Sequence, residues 1–134
     1  MANKQPDILV NKADVDRVFS FNKTQWAEIA PQMIAPGWKM RSYEHESGTQ
    51  IIGYDPSTGI GLSVQTFFKT ETSLPDMVVV GNYFPLGMFP ALTEELKLEI
   101  ELVAQKEIGE AYSLRLIHRL TDNIEMFDFM ISEL

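Results

Sequence analysis

Between residues 60 and 69 apolar and polar positions alternate. Ile60, Leu62, Val64, Thr66 and Phe68 fall on one side of an extended chain, and Ser63, Gln65 and Lys69 on the other. A period of two is that of a β-strand with one buried and one wet face, and Phe67 interrupts the wet one. The same period runs through WKMRSYEHE and TQIIGYD, with Ser47-Gly48 between them, which predicts a hairpin. Asp55-Pro56-Ser57-Thr58-Gly59 is the next turn, its proline presetting one torsion and its glycine supplying a positive one. After the turn signal SLPD, MVVVGNYF is apolar at both parities, which predicts a strand covered on both sides or one at a subunit interface.

Elsewhere the period lengthens. In FNKTQWAEI, Asn22 is placed as an N-cap, Gln25 as its capping-box partner, and Phe21 with Trp26 as a hydrophobic staple. Trp26, Ile29, Ala30 and Met33 follow on one helical face until Pro31 kinks or ends it. Asp14 to Phe19 has a weaker signal for a turn or short helix. LTEELKLEIELVAQKEIG satisfies both periods: Leu96, Leu98, Ile100 and Leu102 alternate, while Leu92, Leu96, Ile100 and Val103 keep helical spacing. Thr93 as cap, Glu94 and Glu95 in the first turn, and Gly109 at the end favour a helix. The tail YSLRLIHRL, TDN, IEMFDFMISEL predicts a final hairpin, with a capped helix from Asp122 as the alternative. The sum is a single α+β domain over residues 1–134 in the order α-β-β-β-β-α-β-β. It is a mostly antiparallel sheet of about six strands with two helices packed on one face, its first ten residues partly disordered.

Residues 81–92, GNYFPLGMFPAL, combine two glycines and two prolines with Tyr83, Phe84, Leu86, Met88 and Phe89. Contiguous apolar exposure marks interaction sites. Tyr83, Phe84, Leu86, Met88 and Phe89, together with Phe67, are therefore the candidate partner-binding residues. The competing expectation is that Phe84, Leu86 and Phe89 cap the end of the sheet against the second helix.

Charge narrows the partner. Of a net −8, residues 93–110 hold six acids against Lys97 and Lys106, and residues 122–134 hold four acids and no base. Such a chain repels phosphate backbones and anionic membranes, so a protein partner with a basic surface is expected instead. There is no cysteine, which removes disulfides and thiolate chemistry. The start of the chain has no signal-peptide core, and the cytoplasm is the expected location.

Candidate chemistry is sparse. Glu44-His45-Glu46 has the residue types of a zinc or acid-base site, but a strand sends His45 and the two glutamates to opposite faces. His118 sits among leucines and is expected to be a core or interface histidine with a hydrogen-bond partner. Gly59-Ile60-Gly61-Leu62-Ser63 completes neither a phosphate loop nor a nucleophile elbow. No catalytic residue, metal or cofactor is expected. The order of helices and strands, with the acidic charge, is similar in layout to the small acidic secretion chaperones. That resemblance implies a dimer that holds another protein, although their final helix has no counterpart in the predicted hairpin. The expected function is a non-catalytic, homodimeric protein-binding module of the chaperone, adaptor or inhibitor type, binding through an apolar loop and a strand edge bordered by acidic charge. The alternative is a domain holding a small apolar ligand between helix and sheet, lined by Trp26, Met33, Trp38, Met40 and Phe68.

Overall fold

The structure, a computed structural model, describes residues 10–45, 48–70, 72–89 and 91–134, and at His45 the backbone alone. The Ser47-Gly48 turn, Glu46 and the first nine residues, expected to be partly disordered, lie wholly or partly outside the described residues. Within them the elements are α1 (Lys12–Val18), α2 (Lys23–Ile29), β1 (Lys39–His45), β2 (Gly48–Tyr54), β3 (Gly61–Phe67), β4 (Met77–Pro85), α3 (Glu94–Ile108), β5 (Tyr112–Leu120) and β6 (Ile124–Glu133). A 3-10 turn at Ala30–Met33 follows α2.

Local chemistry accounts for each boundary. Asn22 accepts from the Gln25 amide while the Gln25 side chain accepts from the Asn22 amide, which is the reciprocal box read from the sequence. Pro31 stands at the start of the 3-10 turn, where its missing N–H costs nothing, so the helix tightens rather than continues. Asn11 caps α1 by accepting from the Asp14 amide, making a third helix where the sequence carried only a weak signal. Thr93 caps α3, and Gly109 ends it at φ 89°, in the left-handed region that favours glycine.

All six strands pair antiparallel in the order β1-β2-β3-β4-β6-β5. The α+β class is therefore as the periodicities predict. One parity of every strand from β2 to β5 faces the helices. Across the sheet, Ile51, Val64, Val80, Phe129 and Leu116 lie in register and are all buried, and they join Trp26, Ile100, Ala104 and Ile108 in one core. Val10, at the edge of the N-terminal segment, belongs to that core as well. The Tyr112 hydroxyl donates to Asp16 and so ties α1 to β5. Burial first, and then that carboxylate, push the tyrosine's pKa up, while Lys12 and then Tyr112 hold Asp16 below the usual carboxylate range. Among the described residues no helix is long and apolar enough to cross a membrane.

Candidate functional site

Among the described residues, the helices leave the other face of the sheet uncovered. Register places on it Tyr43 of β1, Ile52 and Tyr54 of β2, Phe67 of β3, Val79 and Tyr83 of β4, Met126 and Met130 of β6, and Ile117 of β5. Tyr43 and Tyr54 are 46% and 43% exposed, and most of the others are half-buried by their neighbours within the sheet. An antiparallel sheet with one solvated face ordinarily turns polar residues outward there. This one mixes the polar Gln50, Ser63, Gln65, Ser113 and Ser132 with aromatic, methionine and β-branched side chains of the kind found in interface cores.

The centre of the face is ordered by one tyrosine. Tyr83 lies opposite Gly61, and its ring also approaches Gly81, where an added Cβ would meet the tyrosine hydroxyl at 3.0 Å and Asp128 Oδ1 at 2.6 Å. The two glycines thus make the floor on which the ring rests. Burial raises the pKa of the Tyr83 hydroxyl, and its hydrogen bond with Ser63 works against that rise. Beside it Arg119 pairs with Asp128, whose carboxylate is nearly buried.

The expected loop is partly strand. β4 continues through Pro85 because it is held on both sides, by β3 and by β6 as far as the Pro85–Ile124 pair. Pro85-Leu86-Gly87-Met88 is then a tight turn closed by the Met88 amide on the Pro85 carbonyl, with Gly87 at φ 88° and the Leu86 amide bonded to the Asn123 carbonyl. Strand parity separates the named residues. Tyr83 and Phe67 belong to the uncovered face, Leu86 and Met88 are exposed on the turn, and Phe84 is buried on the helix side. Phe89 packs edge-on against Phe84 at 4.9 Å, and Phe84 against Phe127 at 5.8 Å. Phe84 and Phe89 thereby close the end of the core under α3's leading loop.

Sequence reasoning assigned no role to Tyr43, Ile52, Tyr54, Met126, Met130 or Ile117 on this face. Their common parity would have shown it, once the strand neighbours were known. His118 has the partner expected of it, Glu125 Oε2 at 2.7 Å, and stacks at a tilt on Phe127. β1 runs through His45, but the Glu44-His45-Glu46 trio is only partly described. Among the described residues no group of three or more His, Asp or Glu side chains is placed to hold a metal ion.

Charge is divided between the two sides of the molecule. Among the strand side chains described, the uncovered face carries Lys39, Arg41, Arg115 and Arg119 against Asp128 alone, a net +3. With a total of −8, the remainder of the chain holds −11.

A cavity of about 340 Å³ opens between α1, the 3-10 turn and strands β3 and β4. Val15, Val18, Leu62, Val64, Val78 and Val80 form its apolar walls, and Arg17, bonded to Gln32 at 2.9 Å, stands at its polar side. Of the residues expected to line a ligand pocket Met33 does so. Trp26 and Phe68 are buried elsewhere in the core, Trp38 packs half-buried against it, and Met40 is exposed on β1. Comparison with protein families, with curated proteins and with solved structures finds no match to this chain.

Proposed function

We propose that this protein is a non-catalytic protein-binding module of the chaperone, adaptor or inhibitor type, working in the cytoplasm as a homodimer. The observation that carries the reading is the helix-free sheet face, which holds aromatic, methionine and β-branched side chains among its polar ones where solvent alone would favour polar residues throughout. Tyr83, Leu86 and Met88 lie at the C-terminal end of β4, supported from beneath by Phe84 and Phe89, and Phe67 lies on the same face at the other end, opposite Met77. Self-association uses a different surface. Leu98 and Leu102 lie one turn apart on α3, are 57% and 61% exposed, and adjoin the exposed Val103. The test is capture of partners from a native lysate, with sedimentation equilibrium on the purified chain. Val79→Asp and Leu86→Asp are each expected to reduce capture by about tenfold or more, since a buried charge at an interface core is not compensated. Leu102→Asp is expected to yield a monomer. Capture indifferent to all three substitutions rejects the reading.

The cavity favours a second reading, a site for a small amphiphile whose apolar body lies against Val64 and Val80 and whose polar head reaches Arg17. Isothermal titration with decanoate is expected to show saturable binding that the cavity-filling Val80→Phe variant abolishes. Heat of binding that is absent in wild type, or equal in both proteins, rules the reading out.

A further inference from the structure

The two edges of the sheet are unequal. At the β5 edge α3 supplies side chains to the outward backbone: Glu101 Oε2 accepts from the Leu116 amide at 2.8 Å, Gln105 Oε1 from the Leu114 amide at 3.0 Å, and Gln105 Nε2 donates to the Tyr112 carbonyl at 2.8 Å. At the β1 edge nothing comparable happens. β1 pairs with β2 alone, and its outward N–H and C=O groups have no partner among the described residues. Unpaired strand edges of this kind accept an added strand.

The side chains beside that edge specify what the strand should carry. Lys39, Met40, Arg41, Tyr43, Ile52 and Tyr54 line a groove of about 520 Å³, most of it on the uncovered face. Lys39 and Arg41 form no ion pair among the described residues, whereas Arg119 at the opposite edge is paired with Asp128. Being two residues apart on one strand, the two cations stand about 7 Å apart on the same face, which is also the spacing of alternate side chains on a neighbouring strand.

We propose that β1 is a docking edge for an extended, acidic segment of another protein, which adds to the sheet as a seventh strand. This rests on the protein-binding reading above and names the chemistry of its partner. Two carboxylates two residues apart face Lys39 and Arg41, and an apolar side chain two residues further on faces Tyr43. In an antiparallel arrangement the motif is apolar-x-acid-x-acid; in a parallel one, acid-x-acid-x-apolar. The acidic remainder of the chain called for a basic partner, but this face has the opposite sign and selects an acidic one. A second copy is a poor occupant, because it would bring its own Lys39 and Arg41 to the same row and supply no carboxylate to that face. A nucleic acid offers phosphates to the two cations but no extended peptide backbone to pair with the open N–H and C=O groups of β1.

The test uses the full chain and fluorescein-labelled peptides of sequence GTFTDTETG and GTDTETFTG, with the acids replaced by lysine as controls. Saturable binding of at least one acidic peptide is expected. It should weaken by about 30-fold or more in a Lys39→Glu, Arg41→Glu double variant, since both contacts become repulsive. Hydrogen exchange should slow at alternate amides of Lys39–His45 when the peptide is bound, a change that attraction at a distance would not produce. Both substitutions are at exposed positions, so an unchanged melting temperature shows that the variant is folded. Equal binding of acidic and lysine peptides, retention by the double variant, or no slowed exchange in β1 overturns the proposal. Tighter binding of a uridine oligonucleotide than of either peptide overturns it in favour of nucleic acid. A wild-type dimer that dissociates in the double variant overturns it in favour of a second copy. Partner capture that survives the double variant and is lost in Val79→Asp sinks this inference and leaves the binding-module reading standing.

Discussion

Phe129→Ala is expected to lower the free energy of unfolding by about 3–5 kcal/mol, the range for emptying the space of a fully buried phenylalanine. Phe129 is completely buried in the middle of β6, opposite Val80 of β4 and Leu116 of β5, in a core it shares with Ile100 and Ala104 of α3. Domains of this kind have about 5–15 kcal/mol in total, so the variant stands near the limit of folding. Its neighbour Met130 has the opposite parity and lies on the uncovered face, where Met130→Ala should cost about 1 kcal/mol or less. Urea denaturation at matched slopes measures both. A similar large cost at 129 and 130 would mean that both faces are covered within one chain, which would remove the docking surface. A cost at 130 that rises with protein concentration would place a second copy on that face.

That contrast between adjacent residues also shows where the sequence is readable and where it is not. Caps at Asn22 and Thr93, the Gly109 stop and the alternation from Ile60 to Phe68 depend on near neighbours, and each is legible. α3 is ambiguous for a physical reason: it carries two apolar stripes. Ile100, Ala104 and Ile108 turn inward, while Leu98, Leu102 and Val103 turn to solvent, and the second stripe adds the alternation that imitates a strand. The uncovered face is hidden for a different reason. It joins residues from β1 to β5 that are far apart in the chain, and β4 pairs with β6 rather than β5, which no local pattern encodes. Its positive charge is masked by the same distance, because a sum along the chain mixes Arg115 and Arg119 with the acids that flank them on α3 and β6. Phe84 is ambiguous in the sequence because it ends the predicted strand MVVVGNYF and also belongs to the apolar stretch 81–92; in β4 its parity with Val78 and Val80 sends it into the core.

Gly48→Ala is expected to cost upward of about 3 kcal/mol, beyond the ordinary range for overpacking, because the obstacle is backbone rather than a side chain that can turn away. A Cβ at Gly48 would lie 1.7 Å from the Thr66 carbonyl oxygen and 2.7 Å from its carbon. β2 can relieve this only by leaving β3, which also breaks the buried contact between the Thr49 and Thr66 hydroxyls at 2.9 Å. The β1–β2 hairpin would then move as a unit, and Tyr54 and Ile52 would keep their places beside Lys39 and Arg41. Gly48→Ala is therefore expected to lose stability while its folded fraction keeps acidic-peptide binding, whereas the Lys39→Glu, Arg41→Glu variant loses binding alone. Gly87→Ala is the control. Nothing lies within 4 Å of its Cβ, so only the positive φ is penalised, by about 1–2 kcal/mol, and the groove is untouched. Thermal melts of the two glycine variants, read beside their peptide affinities, check the ranking. A Gly48→Ala protein as stable as wild type would mean that β2 and β3 do not approach as closely as this register requires, and the docking edge would lose its support.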